Sequence, residues 1–312
     1  MGRVFVSGEA IIDFVPDHTA SGEPCFVPKP GGSPMNTTKA AAMAGAQAEF
    51  VGALSTDFLG DMLHADLEAS GAGTGLTPRI DRPSTLAFVD VSQGSPRYAF
   101  HLVGTADEEM KPSLDAVPPM PGDIVHVGSI ALAGPAASRI TDFAVAEGER
   151  RLVSLDPNVR DAVIGNRTKW HGRIDRITKA AAILKLSTED LDYMQVGADP
   201  AEFARAQLER GPALVVVSGG EEGATAYTRS GEATMAAPRV EVADTVGAGD
   251  TLMGSMLAWI VAEELEGHDA LAALDETRLT QMLRFATTAA AINCTRRGCN
   301  PPSREEIVAF MA

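Results

Sequence analysis

Short apolar runs alternate with stretches of helical period along the chain. Val4–Ser7 is an apolar, β-branched run bounded by Gly8 and predicts a buried strand. An Ala-rich helix is predicted over 37–48, a strand over 50–54, and a helix over 58–70 that stops at Gly71. A strand over 123–127 precedes a helix over 135–146 with Pro135 in its first turn. Residues 152–155, 182–186 and 214–217 predict further buried strands, each with a helical segment nearby. The last third is helical over 249–265, 277–293 and 303–310. This alternation predicts an α/β protein with a parallel sheet covered by helices on both faces.

Two regions break the rhythm. Residues 13–30 are rich in Pro, Gly and Ser and lack a helical period. Residues 84–103 hold two strand patterns, 85–91 and 97–103, around the turn cluster Ser92-Gln93-Gly94-Ser95-Pro96. A hairpin inserted in an α/β unit can serve as a lid; an edge hairpin that widens the sheet is the alternative.

Composition narrows the partners. The 312 residues are 45% hydrophobic and 22% charged, the balance of a globular protein with a sizeable core. The formal net charge of −16 argues against nucleic acid and against an anionic membrane surface. Any anionic substrate must therefore meet a local positive field. Cys25, Cys294 and Cys299 form no paired framework or C-x-x-C spacing, so core thiols in a reducing compartment are expected. The N-terminus runs directly into a strand pattern without the flanks of a signal peptide, and the apolar stretch 252–262 is too short to span a membrane. A cytoplasmic protein is expected.

The strongest chemical signal is Asp244-Thr245-Val246-Gly247-Ala248-Gly249-Asp250 at the start of a helix. Small residues let the backbone turn and approach a ligand, and the amides of Gly247, Ala248 and Gly249 would form an anion hole at a helix N-terminus. A carboxylate there would repel a phosphate unless it had a task, and Asp250 suits a general base for a hydroxyl nucleophile. An ordinary capping acid is the alternative. Gly249 to Gly254-Ser255 lacks the Lys of a P-loop, and Gly247-Ala248-Gly249 lacks the third glycine of a dinucleotide fingerprint. A second signal is Gly31-Gly32-Ser33-Pro34-Met35-Asn36 before the Ala-rich helix. Asn36 offers both a donor and an acceptor to sugar hydroxyls, and Asp13 could accept from two vicinal hydroxyls.

Together these segments resemble the ribokinase-like (pfkB) sugar kinases over essentially the whole chain. Gly31-Gly32…Asn36, with Gly45 and Gly60, matches the N-terminal signature, and 244–250 matches the C-terminal one. Ser255 departs from the usual Ala or Gly. The resemblance implies a ribokinase-like three-layer α/β fold, with a central mostly parallel sheet flanked by helices. It implies one domain over 1–312, with a small β-sheet lid from about 13–30 and 84–103. It implies ATP as donor, Mg²⁺ as counter-charge, Asp250 as base, and Gly247, Ala248 and Gly249 as the anion hole.

Further matches follow one by one. Asp244, Val246, Asn293, Arg296 and Gly298 match a monovalent-cation site for K⁺; a cap or surface ion pair is the alternative for Asp244. Ser187-Thr188-Glu189-Asp190 stands where many members carry Asn-x-x-Glu, which leaves open whether Glu189 or Asp190 serves Mg²⁺. An acidic helix start is the alternative there. Lys185, Ser187, Ser218, Gly220, Gly223 and Gly249 match the nucleotide side. Arg160, in Asp156-Pro157-Asn158-Val159-Arg160, could clamp a phosphate or stay a solvated surface residue.

For the substrate, the Asp-Pro-Asn-x-Arg segment, Lys185-x-Ser187 and the strand Arg97-Tyr98-Ala99-Phe100 look most like bacterial fructokinases. Tyr98 and Phe100 would line the sugar. The nearest rival is 2-keto-3-deoxygluconate kinase, whose relatives meet a carboxylate with a lid Tyr-Arg pair. Here Phe100-His101-Leu102 has no Arg after the aromatic residue, which favours a neutral sugar. Ribokinase, nucleoside kinase and an inactive sugar- or nucleotide-binding homologue are the remaining alternatives. Pairing of two copies through exposed lid strands is also expected.

Overall fold

A computed structural model describes residues 2–90 and 97–312. The chain opens with β1 (Val4–Ser7), then the hairpin of β2 (Ile11–His18) and β3 (Pro24–Gly31). Next come α1 (Ser33–Met43), β4 (Ala48–Phe50), β5 (Leu54–Ser55), α2 (Phe58–Ala69) and β6 (Arg79–Ile80). A second antiparallel pair, β7 (Thr85–Asp90) and β8 (Arg97–His101), follows. Alternation then returns: β9 (Ile124–Gly128), α3 (Ala137–Glu147), β10 (Leu152–Asp156), α4 (Arg167–Ala180), β11 (Ile183–Ser187), α5 (Thr188–Met194), α6 (Pro200–Leu208) and β12 (Leu214–Ser218). The chain ends with β13 (Ala224–Tyr227), β14 (Glu232–Met235), α7 (Ala248–Ala262), α8 (His268–Ala272), α9 (Glu276–Cys294) and α10 (Arg304–Met311).

Among the described residues, eight strands form the large sheet in the order β14-β13-β12-β11-β10-β9-β1-β4. It is parallel from β4 to β12, and β13 and β14 add an antiparallel edge. Strand alternation sorts the core. Leu214 and Val216 pack with Met253, Leu257 and Phe285 on the α7/α9 side, while Val215 and Val217 pack with Ile174, Ile177 and Phe203 on the α4/α6 side. The structure is thus the helix–sheet–helix arrangement that the alternation predicts. β1 has β4 on one flank and β9 on the other, so the chain winds both ways from it. Such a switch point opens a crevice beyond the carboxyl ends of the strands.

A separate four-stranded sheet has the order β3-β2-β7-β8, and a short parallel pair joins β5 to β6. Residues 13–30 therefore belong to a hairpin that their composition hid. Pro24, Pro28 and Pro30 lie on β3, which is an edge strand where a missing N–H breaks no ladder. Phe14 and Phe88 stack at 4.8 Å across β2 and β7. The expected turn Ser92–Pro96, with Val91 before it, lies outside the described residues.

Some boundaries move. The helix expected over 37–48 is Ser33–Met43; it ends where Gly45 takes a φ of 99°, which frees Ala48 to pair with Val4. The strand expected over 50–54 divides into β4, which pairs with β1 in the large sheet, and β5, which pairs with β6. The three cysteines are half-buried and unpaired rather than fully in the core. Among the described residues no helix is long and apolar enough to cross a membrane.

Candidate active site

α7 begins at the crevice. Gly247 precedes it in a left-handed conformation (φ 74°), with the side chain of Cys299 packed where a Cβ would stand. Burial raises the Cys299 thiol well above its ordinary range. The Ala248 N–H reaches Thr245 O at 3.2 Å. Asp250, in the first helical turn, is only 8% exposed. Its Oδ1 accepts from Ser33 Oγ at 2.6 Å and its Oδ2 from Asn36 Nδ2 at 2.9 Å. Both donors come from the first turn of α1, so the carboxylate is tied to α1 rather than spent on capping its own helix. Close packing makes this reach possible. A Cβ on Gly254 would stand 2.5 Å from Thr37 O, so only glycine lets α1 and α7 approach this closely.

The predicted sugar-side residues gather at the same place. Gly31 and Gly32 lead into α1. A Cβ on Gly31 would lie 2.3 Å from Asp13 Oδ2, so its absence makes room for that carboxylate. Burial pushes the Asp13 carboxyl up to about 6; the Asp250 charge adds to this and Arg160 opposes it. The Asn36 Oδ1 is buried with no protein partner, an acceptor free for a ligand hydroxyl. On β8, Tyr98 is 40% exposed and stacks on Phe100 at 5.6 Å. Phe100 packs against Ile11, Ala87 and Ile130. Arg160 is exposed, and its charge acts on both Asp13 and Tyr98.

The predicted nucleotide-side residues follow along the strand ends. Lys185 on β11 is buried and forms a 2.8 Å ion pair with Asp156 at the end of β10. Its ammonium lies 3.5 Å from where a Gly249 Cβ would stand. Burial works against the Lys185 charge, but Asp156 first, with Asp190 and Asp250, more than restores it. Ser187 and Ser218 lie side by side in register at the ends of β11 and β12. Gly220 and Gly223 flank the turn that follows, both at positive φ. The two acids Glu189 and Asp190 stand in different surroundings. Asp190 completes a capping box with Ser187 and accepts the Val159 N–H at 2.7 Å, whereas Glu189 stays exposed.

The predicted cation-site residues also converge. Asp244 accepts from Val246 N–H at 3.1 Å and Gly298 N–H at 2.9 Å. Asn293 donates to Val246 O and accepts from the Asn300 N–H, and Arg296 reaches the carbonyls of Asn300 and Pro301. The carboxylate of Asp244 is thus held by main-chain N–H groups, and the carbonyls of Val246, Asn300 and Pro301 accept from Asn293 and Arg296. Among the described residues there is no cluster of three or more His, Cys, Asp or Glu suited to a metal ion. A divalent ion here would lean on substrate phosphates and water, as Mg²⁺ commonly does.

Sequence reasoning missed Ser33, Asp156 and Asn158 as individual groups, although all three stand inside the motifs it singled out. It also missed Glu9 and Asp107, two acids enclosed where β1 hands over to the small sheet. Burial first, and for Glu9 the Asp107 charge as well, pushes them to about 8 and about 7. Nothing in the sequence marks a charged residue as buried.

A carboxylate beside a glycine turn at a helix N-terminus, over the switch point of a parallel sheet, defines a class: enzymes that transfer a phosphoryl group to a hydroxyl. The chain belongs to the pfkB family of carbohydrate kinases, whose model matches residues 1–306. It is 36% identical over 279 residues to a fructokinase of Rhizobium leguminosarum bv. trifolii, covering 88% of this chain and 85% of that one. Fructokinase from Vibrio cholerae O395, in its fructose-, ADP- and calcium-bound form, superposes with a TM-score of 0.84 at 25% identity, covering 100% and 99% of the two chains. Aminoimidazole riboside kinase from Salmonella enterica, complexed with aminoimidazole riboside and an ATP analogue, gives 0.83 at 26% identity and covers 100% of both. The protein is therefore a phosphotransferase that acts on a sugar hydroxyl, with the ribokinase-like fold.

Proposed function

We propose that the protein is a fructokinase, which transfers the γ-phosphoryl group of ATP to the primary 6-hydroxyl of D-fructose. The observation that carries this reading is the Asp250 carboxylate, held by Ser33 and Asn36 at the mouth of the α7 turn. Asp250 takes the hydroxyl proton as the sugar oxygen bonds to the γ-phosphorus and the bond to ADP breaks. The amides of Gly247 and Gly249 receive the charge on the moving group, whereas the expected third donor, the Ala248 N–H, is engaged with Thr245 O. Asp13, Gly31, Gly32 and Asn36 hold the sugar, with Tyr98 and Phe100 closing over it from the small sheet, which acts as the lid. Lys185, Ser187, Ser218, Gly220 and Gly223 border the nucleotide, and Arg160 clamps phosphate. Glu189 would face an Mg²⁺ that offsets phosphate charge, and Asp244, Val246, Asn293, Arg296 and Gly298 would hold K⁺. The curated relative named above and the neutral stretch Phe100-His101-Leu102 support fructose. The unpaired thiols suit a cytoplasmic enzyme, and the exposed Phe26 and Tyr98 suit pairing of two copies through the lid.

One observation favours a second reading. The Arg160 charge reaches Asp13 and Tyr98, so a carboxylate substrate such as 2-keto-3-deoxygluconate would find a cation there. A coupled ADP-release assay with ATP, Mg²⁺ and K⁺ separates the two. Fructose, ribose, 2-keto-3-deoxygluconate, adenosine and aminoimidazole riboside form the panel. The highest kcat/KM is expected for fructose; a higher value for the keto-deoxy acid overturns the neutral-sugar reading and transfers the role to Arg160.

A further inference from the structure

The Ser33 hydroxyl lies between two groups with fixed roles. Its Oγ accepts from Asn158 Nδ2 at 2.7 Å and donates to Asp250 Oδ1 at 2.6 Å. A hydroxyl has one proton to give, and an amide NH₂ can only donate. Asn158 thus occupies a lone pair of Ser33 and directs its single proton to Asp250. Asn158 is itself constrained. Its backbone is left-handed (φ 37°), and its N–H bonds Asp156 Oδ1 at 3.1 Å. The other oxygen of Asp156 holds Lys185. One unbroken chain of polar contacts therefore runs Lys185–Asp156–Asn158–Ser33–Asp250, from the nucleotide side of the crevice to the carboxylate.

We infer that Ser33 is a positioning residue that sets the rotation of the Asp250 carboxylate, and that Asn158 fixes the direction of the Ser33 hydroxyl. This rests on the reading of Asp250 as base. Asn36 holds Oδ2 and Ser33 holds Oδ1, so the plane of the carboxylate is fixed before substrate arrives. Each oxygen accepts one of these bonds and keeps a lone pair for the substrate proton. Such preorganisation raises turnover rather than binding, because a misaligned base leaves substrate contacts in place.

The test is a set of variants assayed with the preferred sugar of the panel. Ser33→Ala is expected to lower kcat about tenfold while KM for ATP and for sugar stays within about twofold. Ser33→Thr, which keeps the hydroxyl, should restore most of kcat. Asn158→Gly tolerates the left-handed backbone and should lower kcat severalfold alone, yet add nothing in the Ser33→Ala background, because it acts only through Ser33. Ser33→Cys, near in volume but a weak donor, carries the same test if the alanine variant does not fold. Unchanged kcat in Ser33→Ala and Ser33→Cys, or losses that multiply in the double variant, would overturn the inference. Asp250→Asn is run in parallel. If it retains turnover, the base reading fails; if it is inactive while the Ser33 variants are unaffected, only the positioning role fails.

Discussion

Lys185 and Asp156, on neighbouring strands β11 and β10, form a buried ion pair at 2.8 Å directly beneath the first turn of α7. Neither side chain is more than 4% exposed. Even with the ammonium beside it, burial pushes Asp156 up to about 6. Removing one partner strands the other charge in the core. Lys185→Met should therefore destabilise the protein by about 3–5 kcal/mol, read as a lower urea midpoint at pH 7.5. A midpoint unchanged within error would mean that the pair carries no net stability.

Gly31 makes room for Asp13. With 2.3 Å between a Cβ there and Asp13 Oδ2, Gly31→Ala must displace the carboxylate. The sugar KM should rise about tenfold or more, while ATP binding measured by calorimetry stays within about twofold. Equal loss for both ligands would point to a general disturbance of the crevice.

Glu9 gives the fold a pH dependence of known sign. It is 3% exposed and accepts the Ala131 N–H at 3.0 Å. Its folded pKa of about 8 stands above the ordinary 4.5, chiefly through burial. The folded state therefore holds a proton that the unfolded chain releases between these values. That stabilisation is complete below the unfolded pKa and is lost as pH rises through about 8. Thermal stability should fall from pH 6 to pH 9 in the wild type, by up to about 1.4 kcal/mol per pH unit for this proton. Glu9→Gln keeps the shape without the titration and should show a flatter profile; an equally steep profile would assign the slope to Asp107 and other groups.

How much of this was legible in the sequence differs from residue to residue. The strands β1, β9, β10, β11 and β12 announced themselves because both their faces are buried, which leaves short unbroken apolar runs. The 244–250 turn was legible because so many small residues before a helix serve few purposes other than close approach. Residues 13–30 were legible as strands only through the family resemblance, since prolines on an edge strand look like a loop. The contact between Ser33 and Asp250 spans 217 positions and exists only because α1 and α7 pack closely at Gly254, which no local pattern encodes. Glu9 and Asp107 were invisible for a related reason: a charged letter reads as surface until the fold encloses it.

The central claim is that Asp250 removes the proton from the 6-hydroxyl of fructose. Phosphorus-31 and carbon-13 NMR of the product formed by the wild type and by Asp250→Asn tests it most directly. The wild type should yield fructose 6-phosphate, and the variant should lose about 10²–10⁴-fold in rate while still binding ATP. A 1-phosphate product, or near-full turnover by Asp250→Asn, would contradict it.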